Sequence, residues 1–513
     1  MEAINMGRPG GFVEAFREEV SRHPERLFLR FSGVPVTFGE LAEKADRIRY
    51  RLFDGQSGRG KIVTAIVDNS IASVALAVAL SQAGAVWVPV NPQLGPQGLR
   101  HILGDAAPDI VVADRRYLDM VAQADTKTSV AIVAIEGLLD ESGGISRIGS
   151  FTDRPQSSDL FALMYTSGTT GKPKAVEVTH RMMSMAAEAV AVVTEVQPGD
   201  VMFMWEPLFH IGGAQMLILP MVRDVHLAMV PKFSASQFWA DVAAARATHI
   251  HYLGGVLQIL LRQPPTEEER ANGVRVAWGA GCNRDIWNEV ETRFGVTIRE
   301  CYGMTEASSV TSFNADATPN SVGKALPWFD ISIRAEDGRE LPPGEKGEIA
   351  VRELSSDTGA IFSGYRGNAE ATRERLREGV LYSGDIGSLD REGNLYFHGR
   401  KTDSIRHRGQ HISAWEIEHV VLTHSLIEEC AAIGVKADIG EEDIKLFVRP
   451  VRRDAISAED LFHWMEGKLP RFQMPRYLRF VDDFPRTGSS RIMKHLLSRD
   501  PNDGEDRARI GVS

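Results

Sequence analysis

From Lys61 to Cys301, short apolar runs rich in β-branched residues alternate with longer helix-type runs. KIVTAIV, VWVPV, DIVVA, SVAIVAI, LFALMYT and VRVAWGA are the strand-like runs. Runs that are apolar at nearly every position suit strands covered on both faces, as in parallel sheets layered with helices. The alternation therefore predicts a doubly wound α/β fold. Ser70 to Val90 carries no charge and is about as long as a bilayer-spanning helix. Gln82, Gly84 and Pro89 interrupt it, and VALAVALSQAG gives way to β-branched AVWVPV. It reads as a buried helix followed by a buried strand, so no integral membrane association is expected.

A chain of 513 residues exceeds one hydrophobic core, since cores stop growing at about 250–300 residues. After Val310 short strands and Gly-rich turns (EDGRELPPGEKGEIAVR, DREGNLYFHGR) predict a small β-rich subdomain. Near Gly399 the chain turns polar (GRKTDSIRHRGQ), and a second α+β unit begins with AWEIEHVVLTH and SAEDLFHWMEGKL. The expected division is an N-terminal domain over 1–398, a hinge at 399–402, a mobile C-terminal domain over 403–498 and a structureless, polar tail over 499–513. The net charge of −11 excludes a partner held by nucleic-acid phosphates. Three cysteines, none in a CxxC pair, fit a reducing compartment. The N-terminus shows no apolar signal-peptide core, so a cytoplasmic protein, monomer or homodimer, is expected.

The most informative segment is Tyr165–His180, YTSGTTGKPKAVEVTH. An apolar strand runs into hydroxyls (Thr166, Ser167, Thr169, Thr170), glycines (Gly168, Gly171) and cations (Lys172, Lys174). The glycines let the backbone approach an anion, and exposed N–H groups there form an anion nest. GxxxxGK[ST] is absent, so this is not a Walker loop. A solvated Ser/Thr/Gly turn is the alternative for the segment alone.

Further motifs follow in a fixed order. LSQAGAVWVPVNP lies upstream; PLFHIGG, GAGC, YGMTEAS, GEIAVR, YSGDIG, GRKTDSIRHRGQHISAWEIE and PRTGSSRIMK lie downstream. With the Tyr165–His180 loop, this ordered set resembles the adenylate-forming superfamily of acyl-CoA synthetases, peptide-synthetase adenylation domains and firefly luciferase. The resemblance covers nearly the whole chain. It implies ATP- and Mg²⁺-dependent activation of a carboxylic acid, with transfer of the acyl group to coenzyme A. Two anions must meet in that reaction, so cations and oriented donors carry most of the catalysis. The acid is already ionised near neutral pH and needs no general base.

By the same resemblance, Thr166 to Lys174 hold the β- and γ-phosphates. Glu306 holds Mg²⁺ with Thr166 beside it; hard oxygen ligands suit that ion. Adenine lies between the Gly279–Ala280–Gly281–Cys282 backbone and the Tyr302 ring, followed by Gly303, Met304 and Thr305. Asp385 accepts both ribose hydroxyls. Arg400 reaches ribose or phosphate, with Arg406 and Gly409 also on the nucleotide side. His210 stands beside the acyl pocket and thiol passage, as a gate or as a satisfied core histidine.

The chain departs from the family pattern twice. Family members close on P-x-T-x-S-G-K, and that lysine contacts the reacting carboxylate and α-phosphate; here Ser490 and Arg491 replace the Gly and Lys. Arg is longer and planar, so the exchange is not conservative. Arg491 does the lysine's work, or Lys494 does, or adenylation is weakened while thioester transfer survives. The second departure is Thr402, where an Asp or Lys usually forms the pivot. A catalytically impaired nucleotide or acyl-CoA binder, or an enzyme with another acceptor, stays open on these grounds. No acid follows PLFH to bind a substrate amine, and no carrier domain follows, which favours a free-standing CoA ligase. RGQHISAWEIE and EEDIKLFV resemble the crotonobetaine/carnitine-CoA ligase branch. A quaternary ammonium acid would want aromatic faces or a carboxylate, for which Trp205, Glu206, Tyr252 and Trp278 are candidates.

Overall fold

The computed structural model describes residues 11–124, 130–140, 154–166, 173–282, 284–355, 357–407, 410–437, 442–486 and 492–510. The chain divides into two compact units. One is drawn from Met1–Gly168, Lys172–Ile331 and Val351–Leu381, the other chiefly from Ser332–Ala350 and Tyr382–Ser513.

The first unit carries the predicted α/β layers as two sheets. In the six-stranded sheet the order is Ala131–Ala134, Ile110–Ala113, Ile62–Ile66, Val86–Pro89, Leu160–Thr166, Lys174–Thr179. All neighbours are parallel except the last pair, a hairpin. The nine-stranded sheet has a parallel centre: Thr297–Met304, Val276–Ala280, His249–Leu253, Asp200–Met204, Val225–Met229 and Leu27–Phe31. Antiparallel strands close both its edges.

The Ser70–Val90 segment is a helix, Ile71–Ala83, followed by the strand Val86–Pro89, as expected. Ser70 and Ser73 form a reciprocal capping box, and Gly84 ends the helix at φ +66°. From Ser73 to Ala83 every residue is buried, the mark of a helix enclosed on all sides. Among the described residues no helix is long and apolar enough to cross a membrane.

The β-rich subdomain is a five-stranded sheet containing Phe329–Arg334, Gly347–Glu353, Val380–Leu389 and Leu395–Arg400; the division of the chain falls within its strands. In the second unit, Ile427–Lys436, Glu442–Pro450, Tyr477–Phe480 and Glu505–Asp506 form a four-stranded sheet. Helices Ala414–Val421 and Ala458–Met465 give Ile417, Val421, Leu461 and Phe462 to a core with Ile427, Leu446 and Leu478.

The chain beyond Arg499 differs from expectation. Glu505–Asp506 pairs with Tyr477–Phe480, and Arg507–Ile510 is a helical turn. One anchor is Lys445, whose side chain has no exposed surface. Its ammonium donates to the Ser498 carbonyl at 3.2 Å, the Asp500 carbonyl at 2.5 Å and the Asp503 carboxylate. A polar tail with few apolar groups is thus tied down by a buried cation, together with Arg479 on Asp503, Arg476 3.8 Å from Asp506 and Ile510 against the core, which composition does not reveal. Removing one member of a buried charged set leaves the rest uncompensated. Lys445→Ala should lower the stability of this unit by about 3 kcal/mol and expose 499–510 to trypsin, read by thermal unfolding and limited proteolysis.

Candidate active site

The strand Leu160–Thr166 returns antiparallel as Lys174–Thr179, with Thr166 opposite Lys174. Those two residues therefore flank the phosphate-loop segment. Ser167, Gly168, Thr169, Thr170, Gly171 and Lys172 lie outside the described residues, as do Gly409 and Arg491 and the side chain of Arg406.

Glu306 sits in the 3₁₀ turn Thr305–Ala307, directly after the strand Thr297–Met304 that carries Tyr302, Gly303 and Met304. Its carbonyl accepts the Phe362 N–H at 2.9 Å, and its carboxylate accepts the Tyr365 hydroxyl at 2.6 Å. Tyr365 also bridges to Val176, and the Lys174 ammonium stands 5.4 Å from its ring centroid. Tyr365 thus joins the phosphate-loop hairpin to the turn that presents Glu306. Sequence reading missed it; the aromatic after Gly364 in FSGYRG is the only signal. Among the described residues no group of three or more His, Cys, Asp or Glu is poised for a metal. One carboxylate and one hydroxyl near a phosphate loop nevertheless fit Mg²⁺, which keeps several waters and binds one or two carboxylates plus substrate phosphates.

Gly279 to Cys282 and Tyr302 leave the carboxyl ends of neighbouring parallel strands. The backbone there is too close for side chains: a Cβ on Gly279 (φ +152°) would lie 1.8 Å from the Tyr252 carbonyl oxygen. Ala280 and Cys282 are half-buried and Tyr302 is buried. The segment is held from beneath by Glu300, which sequence reading also missed. Its carboxylate accepts from Gly281 N–H at 2.5 Å, Cys282 N–H at 3.0 Å and Tyr252 hydroxyl at 2.6 Å. Its signal was a charge inside the otherwise buried strand end ECYG. Burial pushes the Glu300 carboxyl up to about 7, against the lowering pull of those three hydrogen bonds. Burial, then the Glu300 charge, pushes the Cys282 thiol up, so it is not a ready nucleophile.

His210 caps the short helix Ile211–Ala214 with its carbonyl, which accepts the Gly213 and Ala214 N–H groups, and its ring meets Phe209 at 4.6 Å. A Cβ on Gly213 would lie 2.3 Å from the Pro207 carbonyl oxygen, so the turn requires glycine.

Asp385, Arg400 and Lys494 belong to the second unit. Asp385 is buried on Val380–Leu389 and is the cross-strand partner of Arg400 on Leu395–Arg400, with Arg400 Nε 3.6 Å from its carboxylate. The two residues expected to meet the ribose and phosphate are therefore neighbours. Lys494 donates to Glu418 at 2.8 Å and lies 3.2 Å from Asp403. Burial works against its charge, but Glu418 and Asp403 outweigh that and push its pKa above the ordinary lysine value.

Residues 16–366 match the AMP-binding enzyme family, and residues 416–491 match the AMP-binding enzyme C-terminal domain. The chain belongs to the AMP-binding enzyme family, as an acid–thiol ligase of the AMP-forming acyl-CoA synthetase type. It is 29% identical to a 2-succinylbenzoate–CoA ligase of Bacillus cereus, over 92% of this chain and 95% of that one. It is 28% identical to a crotonobetaine/carnitine–CoA ligase of Escherichia coli, over 93% and 96%. ATP-bound MatB from Rhodopseudomonas palustris superposes with a TM-score of 0.85 at 26% identity, covering 95% of this chain and 98% of that one. The acyl-adenylate complex of o-succinylbenzoate CoA synthetase from Bacillus subtilis shares the fold, with a TM-score of 0.85 at 24% identity, over 97% and 99%.

Because Glu300 keeps a proton to a higher pH when folded than its ordinary value of 4.5 allows, the native state binds more protons between there and about 7. Stability should therefore fall as pH rises through that window, by about 3 kcal/mol from this group. Glu300→Gln should remove that slope. Urea unfolding of both proteins at several pH values checks it; parallel curves would refute the assignment.

Proposed function

We propose that this enzyme adenylates a carboxylic acid without an α-amino group and then passes its acyl group to coenzyme A. The observation that carries the reading is the Lys174–Tyr365–Glu306 grouping beside the Thr166–Lys174 hairpin end: a cation, a phenol-oriented carboxylate and a strand end aimed into the phosphate loop.

In the first half-reaction the acid's carboxylate attacks the α-phosphate of ATP, and pyrophosphate leaves. Lys174 and the phosphate-loop hydroxyls and N–H groups offset the charge of the β- and γ-phosphates. Glu306, held by Tyr365, and Thr166 would hold Mg²⁺, which neutralises phosphate charge and orients the leaving group. The Gly279–Cys282 backbone, propped by Glu300, and Tyr302 receive the adenine. Asp385 takes the ribose hydroxyls, and Arg400 turns from Asp385 to the nucleotide. In the second half-reaction the thiol of coenzyme A attacks the acyl carbonyl, and AMP leaves. His210 stands at the entrance as a gate. The 399–402 segment is the hinge on which a C-terminal domain over 403–498 closes and then turns; closure excludes water from the labile adenylate. A cytoplasmic location accords with three cysteines of which none stands in a CxxC pair.

Of the two candidate adenylation cations, Arg491 is the one we assign. Lys494 is already committed to Glu418 and Asp403, and its use elsewhere would strip both carboxylates of their partner. Arg491→Ala should cut acid-dependent ATP–pyrophosphate exchange about 100-fold or more while thioester formation from a supplied acyl-adenylate survives. Lys494→Ala should instead lower thermal stability. Loss of exchange in a stably folded Lys494→Ala, with Arg491→Ala active, would reverse the assignment. ATP-dependent thiol consumption over a panel of acids tests the whole reading; ATP binding without turnover on any acid would favour the impaired binder.

A further inference from the structure

The residues considered above for a quaternary ammonium acid do not share one environment. Tyr252 is sealed in the core, its hydroxyl given to Glu300. Glu206 and Trp278 instead meet at a residue that sequence reading passed over, His251. The His251 Nδ1 atom is hydrogen-bonded to the Glu206 carboxylate, and its ring lies 4.2 Å from that of Trp278. His251 and Trp278 are register partners on neighbouring strands, so they project to the same face. Trp205 closes the group, giving its indole N–H to the His251 carbonyl at 3.0 Å.

The place of this dyad in the fold matters. His251 and Trp278, both buried, are the third residues of the five-residue parallel strands His249–Leu253 and Val276–Ala280, two positions before their carboxyl ends, and Glu206 lies two positions beyond the strand Asp200–Met204. Ligands of parallel α/β sheets bind at that edge. Trp278 precedes the Gly279–Cys282 segment directly, and Glu206 precedes the His210 gate by four residues. Asn69 fixes the intervening turn, donating to the Glu206 carbonyl at 2.9 Å and accepting the Leu208 N–H at 3.2 Å. The second ring nitrogen, Nε2, makes no hydrogen bond among the described residues and is not among their sealed, partnerless polar atoms. A carboxylate that fixes one imidazole nitrogen and leaves the other open aims that nitrogen at a ligand.

Glu206 is buried and already paired, and the Trp278 face is taken by His251, so neither is open to a trimethylammonium group. What the site offers is one directed imidazole nitrogen. As the neutral ring with Nδ1–H turned to Glu206 it accepts from a hydroxyl; as the imidazolium it donates to a hydroxyl, carbonyl or carboxylate oxygen.

Resting on the ligase reading above, we propose that His251, held by Glu206, is a specificity residue whose Nε2 hydrogen-bonds an oxygen substituent on the acyl part of the acid. The preferred substrates are then hydroxy, keto or dicarboxylic acids, ahead of plain alkyl acids of equal length and of quaternary ammonium acids.

The test is kcat/KM for ATP-dependent thioester formation on a length-matched set of the five acid types. The best oxygen-bearing acid should exceed the alkyl acid by at least about tenfold. His251→Phe alone would strand the Glu206 carboxylate, so the informative variant is E206L/H251F, which removes both partners. In that variant, once its thermal unfolding and ATP binding show it folded, the ratio should collapse to within about twofold, and H251N should recover part of it. An alkyl or quaternary ammonium acid as the best substrate of the natural enzyme would overturn the inference, as would an unchanged ratio in the folded double variant. Turnover of no acid at all would remove the ligase reading and the inference with it.

Discussion

A single buried carboxylate organises the carboxyl edge of the nine-stranded sheet in the large unit. Glu300 gathers the Tyr252 hydroxyl from one strand and two backbone N–H groups from the end of the next, while itself belonging to the third. A buried carboxylate is costly unless its lone pairs are met. Here three donors meet it, and the cost of ionisation that remains is what raises its titration toward neutrality. The consequence is positional. The Gly279–Cys282 backbone is fixed so close to the Tyr252–Gly254 backbone that Gly279 and Gly281 have no room for a Cβ, at the carboxyl edge of the sheet.

The other polar groups of this edge follow the same rule of paired, oriented burial. Tyr365 steers Glu306, Asn69 fixes the Glu206–Leu208 turn, and Glu206 steers His251. In each case the group aimed outward is held by a partner that is itself anchored in the scaffold. Such support removes the reorganisation that a mobile polar group would undergo when substrate arrives. The second unit shows the opposite use of charge. Lys445 and Lys494 are spent on the unit's own structure, one tying down the end of the chain and the other joining the 401–403 turn to helix Ala414–Val421.

Much of this was legible in the sequence. The α/β layers followed from apolar runs of strand and helix type, because period and length are local properties. The phosphate loop, YGMTE and the Gly399–Glu418 run were recognisable because close backbone approach and fixed polar spacing restrict residue choice within a few positions. Thr166, Lys174, Glu306, Asp385 and Arg400 were singled out as candidates in this way.

Tertiary structure decided which residues serve those groups. Glu300, Tyr365 and His251 are ordinary residues in their own segments; each acquires its role from a partner 45 to 59 positions away in the chain. The segment beyond Arg499 is anchored by Lys445, more than fifty residues before it. The sequence by itself determined the layers and the reaction class, since those rest on local patterning and motif order. Only the tertiary structure decided which carboxylates and cations are spent on support and which nitrogen is left to meet a substrate, because pairing depends on distances that strand order, not chain order, sets.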